Sequence, residues 1–111
     1  MAGIDIELVW WKGCPSTERA LQELRQALRE AGLEDIEPRT REIRSEQEAR
    51  EAGFPGSPTI LIDGADVAPA SGEPAGLSCR IYHRRDGRVS PTPDPDDVRE
   101  ALQRALREEV T

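Results

Sequence analysis

The sequence predicts an α/β fold, a small mixed sheet with helices on both faces, in the order β-α-β-α-β-β-α. Three observations carry that prediction. Residues 4 to 10, "IDIELVW", alternate like a half-buried strand. "TERALQELRQALREAG" places leucines and alanines at helical spacing and ends in glycine. A second amphipathic segment opens at "DPDD" near the C-terminus.

In the first strand Ile4, Ile6, Leu8 and Trp10 share one face, and Asp5, Glu7 and Val9 share the other. Lys12-Gly13 breaks it. Pro15 suits the first position of a helix, where its missing N–H costs nothing, and that puts Cys14 at the N-cap. Ala20, Leu21, Leu24, Ala27, Leu28 and Ala31 form the apolar stripe, and Gly32 ends the helix in the left-handed region. Residues 35 to 43 are expected to form an edge strand, because Pro38 cannot donate to a ladder. Ser45 with Glu48 is a capping-box pattern that starts a short helix ending near Gly53. A strand at 59 to 62 closes in a turn at Asp63-Gly64. Residues 65 to 76 read as a loop, and 77 to 84 as a strand with Leu77, Cys79 and Ile81 on one face. Asp94 caps the last helix, with Pro95 first, Asp97 at its positive end, and Val98, Leu102, Ala105 and Leu106 as its stripe. The first helix is long enough for a parallel crossover, and the last two strands are expected to be antiparallel.

The chain has 111 residues, the length of one domain spanning 1–111. Apolar residues make up 36% and charged residues 33%, so the core is thin and the helix faces are long and solvated. A net charge of −7 argues against nucleic acid as a partner. No apolar stretch approaches the roughly 20 residues of a membrane helix, and the N-terminus lacks the basic region of a signal peptide. The expectation is a cytoplasmic protein that uses no membrane and no cofactor. Two cysteines do not make a disulfide scaffold, and with one histidine they do not make a structural zinc site.

A thiol at a helix N-terminus meets unpaired N–H groups and the positive end of the helix dipole, both of which stabilise thiolate. Such cysteines drop from a pKa of about 8.5 to roughly 3.5–7.5. Cysteine is a poor cap compared with serine or aspartate, which favours a chemical role for Cys14 over a capping role. Lys12 adds a second positive charge nearby.

The residues at both ends of this reading resemble the thioredoxin superfamily, which includes the glutaredoxins. "CPST" at 14 to 17 matches the Cys-Pro that opens the first long helix in glutaredoxins. "GFPGSPTILIDG" at 53 to 64 is similar to the family's Gly-x-x-Gly-x-Pro-Thr segment before a strand. The resemblance covers nearly the whole chain in order of elements, and it implies a thioredoxin-like three-layer sandwich. It also implies that Cys14 is the nucleophile, that Pro58 is cis and lies against it, and that Ser57, Pro58 and Thr59 shape a substrate groove. Thr17 stands where the family's second cysteine would be, so dithiol chemistry within the motif is absent, and Thr17 is expected to hydrogen-bond the Cys14 thiolate. The Cys-Gly-Phe-Ser form linked to iron–sulfur clusters is absent, and no double glycine follows residue 64 to hold glutathione. With its "GCP" start, "GSPT" middle and "SCR" strand, the chain also looks like a small bacterial group loosely described as alkylmercury-lyase-like.

Cys79 is the other thiol. In an apolar alternation it reads as a small buried hydrophobe. The competing reading has it resolve a mixed disulfide on Cys14, or join Cys14 around a soft metal ion. His83, at a strand end beside two arginines, reads as solvated or half-buried. Trp10 packs in the core, and Trp11 either shields the thiolate and stacks on substrate or packs as well. Three functions stand against one another on these residues. The first is monothiol thiol–disulfide exchange through Cys14, on a protein or low-molecular-weight thiol or disulfide. The second is a non-catalytic module that binds a protein partner. The third is soft-metal binding by Cys14 and Cys79. The sequence leaves the oligomeric state open.

Overall fold

The computed structural model describes residues 3–69 and 74–109. It is a small α/β protein with a mixed four-stranded sheet and three helices. Strand β1 (Ile6–Trp10) lies at the middle of the sheet. Helix α1 (Thr17–Glu30) returns the chain to β2 (Arg39–Glu42), which pairs parallel to β1 with Glu7 opposite Arg39. Helix α2 (Glu46–Ala52) leads to β3 (Thr59–Ile62), antiparallel to β1 with Leu8 opposite Ile60. A short β4 (Ala65–Asp66) adds to β3, so the order is β2-β1-β3-β4. A separate ribbon of β5 (Tyr82–His83) and β6 (Val89–Ser90) precedes helix α3 (Pro95–Glu109).

The alternation of β1 divides the core in two. Ile4, Ile6 and Leu8 meet Leu24 and Leu28 of α1, Ile60 and Ile62 of β3, and Val98 and Leu102 of α3. Trp10 packs at the edge of that cluster. Val9 faces the other way, into a smaller cluster with Ile43, Phe54 and Ala49 of α2. Helices α1 and α3 therefore cover one face of the sheet and α2 the other. Fully burying one such leucine contributes about 1.5–3 kcal/mol, so the larger cluster dominates a thin core.

The helix ends follow local chemistry. After α1 the Leu33 N–H reaches the Leu28 carbonyl at 2.8 Å and the Gly32 N–H reaches Arg29 at 3.1 Å, with Gly32 at φ 74°. These bonds satisfy carbonyls that the helix itself leaves open. Ser45 Oγ accepts from the Glu48 N–H at 3.0 Å at the start of α2. Asp94 Oδ1 accepts from the Asp96 N–H at 2.9 Å ahead of Pro95. Asp63 and Gly64 both take positive φ, 51° and 81°, and make the tight turn from β3 to β4.

Three expectations are corrected. Helix α1 begins after Ser16, whose carbonyl accepts the Ala20 N–H, so Cys14 is two residues outside the N-cap. The chain needs a further turn through Pro15 and Ser16 before helical bonds begin. The segment 65 to 76 is not all loop, since residues 65 and 66 form β4; residues 70 to 73 lie outside the described residues. The segment 77 to 84 is not a strand of the main sheet. It makes one parallel bridge, Cys79 to Ser57, and then the two-residue β5. Its alternation is also the reverse of that predicted: Arg80 and Tyr82 are buried, whereas Cys79 and Ile81 are exposed. Among the described residues no helix is long and apolar enough to cross a membrane.

Candidate thiol site

The site is assembled around Ser57, which is wholly buried. After β1 the chain turns at Lys12-Gly13, and the Cys14 N–H donates to the Trp11 carbonyl at 3.1 Å. That turn folds Cys14 back toward β3. Its thiol donates to the Ser57 carbonyl at 3.4 Å. Ser57 Oγ accepts from the Trp11 N–H at 3.2 Å. The Ser57 N–H donates to the Ser78 carbonyl and the Ser57 carbonyl accepts from the Arg80 N–H, both at 2.8 Å. These two backbone bonds bracket Cys79 and set it directly beside Ser57. One residue thus holds the turn that carries Cys14 and the segment that carries Cys79.

Both cysteines are free, Cys14 buried and Cys79 exposed. Burial as a small hydrophobe, expected for Cys79, is therefore not its environment. The reason is the reversed alternation, which turns Arg80 inward instead. Partial desolvation, then the Cys14 sulfur as hydrogen-bond partner and as a negative neighbour, push the Cys79 thiol above its ordinary range.

The segment that presents Cys79 is anchored by Arg80, whose side chain is only 4% exposed. Its guanidinium pairs with Asp66 at 2.8 Å, donates to Thr59 Oγ1 at 3.2 Å and to the Ala68 carbonyl, and lies 4.6 Å over the Tyr82 ring. A buried charge with this many partners is adequately compensated. The Tyr82 hydroxyl donates to the Pro58 carbonyl, and burial pushes its phenol up. Gly56 runs so close to Arg80 that an added Cβ would lie 3.2 Å from the Arg80 backbone nitrogen, and its φ of 131° favours glycine.

The remaining predicted residues divide by position. The Ser57–Pro58 peptide bond is cis, and Pro58 and Thr59 are buried with Ser57. The Thr59 hydroxyl is engaged by the Gly56 carbonyl at 2.7 Å and by Arg80. These three residues support the site from beneath. Thr17 Oγ1 is buried without a hydrogen-bond partner, so the expected bond to Cys14 is not made. With α1 starting at Thr17 and Cys14 turned to Ser57, the geometry for it is lost. Lys12 is exposed in the turn. Trp11 packs against the α2-side cluster with its ring over Gly13, and its Nε1 is buried without a partner. His83 is exposed.

Sequence reasoning missed Arg80, Tyr82 and Asp66, which fix where Cys79 stands. The available signal was an Arg-x-Tyr directly after Cys79 with an aspartate in the preceding loop, too common a pattern to select. A cavity of about 230 Å³ lies elsewhere, between α1 and α3, lined by Leu24, Ala27, Pro93 and Val98 and by neither cysteine. Among the described residues no group of three or more histidine, cysteine or acidic side chains is placed to hold a metal ion. Compared with protein families, with curated proteins and with solved structures, the chain finds no match in any of the three.

Proposed function

We propose that this chain is a thioredoxin-like thiol protein that carries out thiol–disulfide exchange, with Cys14 and Cys79 as its working sulfurs. Its substrate is a protein or low-molecular-weight disulfide. The observation that carries this reading is the meeting of two free thiols, distant in sequence, on either side of Ser57. Cys14 alone would support only a mixed disulfide. With Cys79 beside it, the pair can deliver two electrons and close an internal disulfide. The reading therefore moves from a monothiol reaction to a dithiol one.

The test is oxidation of the reduced protein in glutathione buffers of graded potential, followed by intact mass and peptide mapping. The expected product is a monomer that has lost two hydrogens and yields one linked peptide joining Cys14 to Cys79. Independent glutathione adducts on each thiol, with no linked peptide at any potential, would refute it. The same proximity supports a second reading, a two-thiol grip on a soft ion such as mercury. One mercuric ion bound per protein, abolished by either cysteine-to-serine change, would favour it.

A further inference from the structure

The two sulfurs are not equivalent, and their surroundings assign an order of attack. Cys14 is 7% exposed and its thiol is committed to the Ser57 carbonyl. Cys79 differs from it in access. It is exposed on the outward side of the 77 to 83 segment, while Arg80 and Tyr82 take the inward side. Exchange requires a thiolate to approach one sulfur of a disulfide in line with the bond that breaks, so access to the sulfur is a condition of reaction.

We propose that Cys79, not Cys14, makes the first attack on a substrate disulfide, and that Cys14 is the resolving thiol. This rests on the exchange function proposed above. In the first step Cys79 loses its proton to solvent, its sulfur bonds to one sulfur of the substrate, and the substrate S–S bond breaks. The departing substrate thiolate takes up a proton. In the second step Cys14 loses its proton, its sulfur bonds to the Cys79 sulfur, and the second substrate thiolate leaves and is protonated. The substrate disulfide has gained two electrons and become two thiols, and the protein dithiol has become the Cys14–Cys79 disulfide. Because Ser57 holds both the Cys14 turn and the Cys79 segment, the second step is intramolecular, and a buried sulfur can serve there since it need not meet the substrate's bulk.

The experiment uses the full reduced chain and oxidised glutathione as the disulfide probe, with quenched samples read by intact mass and peptide mapping. Cys14→Ser is expected to form a stable glutathione adduct on Cys79 within about twofold of the wild-type first step. Cys79→Ser is expected to react at least about tenfold slower, as access dictates. Rapid adduct formation in Cys79→Ser, or equal rates in the two variants, would overturn the assignment. Sub-stoichiometric iodoacetamide on the unmutated protein gives the same reading without any variant: carboxymethylation should fall first on Cys79, and labelling of Cys14 first would overturn it. Failure of the exchange function is read separately, as absence of the internal disulfide in the oxidised wild type.

Discussion

Replacing Arg80 by methionine tests the anchor of the thiol segment. The change keeps most of the aliphatic length and removes the charge. Arg80 is 4% exposed and its partner Asp66 is 18% exposed, so the pair is largely out of water. Removing one member of a buried pair costs about 3–5 kcal/mol, because the other charge is left uncompensated. Partial exposure of Asp66 keeps the cost at the low end of that range. Loss of the cation over Tyr82 pulls it up by about 0.5–2 kcal/mol, and the two are not additive. A net cost of about 3–4 kcal/mol is a large share of the roughly 5–15 kcal/mol that holds a small domain together. At about 4 °C per kcal/mol for this size, the melting temperature should fall by roughly 12–16 °C. Thermal unfolding by circular dichroism and urea denaturation would measure it, with an unchanged m-value showing that stability alone had moved. Arg80→Met with Asp66→Leu should recover part of the loss, because the carboxylate that faced the guanidinium is then removed as well. A loss below about 1 kcal/mol for the single change, or a double variant worse than the sum, would refute the view that this pair is compensated and buried.

Other expectations follow from the same geometry. Gly13→Ala places a methyl carbon 2.0 Å from the Trp11 ring, so the indole must move; a shift in tryptophan emission is expected, with destabilisation of about 1–3 kcal/mol. Ser57→Ala removes the acceptor of the Trp11 N–H at a buried place and should cost about 1–3 kcal/mol in urea unfolding, with slower closure of the Cys14–Cys79 disulfide. The Asp94 carboxyl is held below the usual carboxylate range by the Arg85 N–H and then the Asp96 N–H. A group depressed in the folded state contributes stability above its unfolded pKa of about 3.9 and loses it as pH falls through the folded value. The difference in stability between wild type and Asp94→Ala, about 0.5–2 kcal/mol at pH near 7, should therefore shrink on acidification to about pH 3.

What could be read in the sequence was local. The three helices follow from stripes and caps that lie within a few residues of one another: Leu24 and Leu28 with Gly32, Ser45 with Glu48, Asp94 with Pro95. The turn at Asp63-Gly64 follows from its two residues, and β2 begins directly after Pro38. The errors lie where a distant partner decides. Arg80 reads as outward because a lone arginine is costly to bury, and only Asp66, Thr59 and the Ala68 carbonyl make it affordable inside. Turning Arg80 inward necessarily turns Cys79 outward, because neighbours on an extended segment face opposite sides. The start of α1 departs from the local pattern for a related reason. Pro15 marks a helix beginning nearby, but the Cys14 sulfur is held by a carbonyl of β3's approach, which no local pattern reveals.

That dependence on distant partners bears on the chemistry. The sheet and the helix-packed cluster are held by ladders and by buried leucines, so they form the stable part of the molecule. Cys79 belongs to neither. It is kept near Cys14 by two backbone bonds to Ser57 and by the side chain of the next residue. Segments held by few apolar contacts open at lower free energy than the core that carries them. For an exchange site this is useful, because the resolving step needs the sulfurs together and the attacking step needs one of them free to meet a substrate. The 57–79 bridge supplies proximity without enclosing Cys79. A pair fixed on two helices of the core would have had the first property and lacked the second. On this argument the exposure of Cys79 and the burial of Arg80 are one arrangement: the arginine fixes the backbone from inside so that the thiol can stand outside, still within reach of its partner.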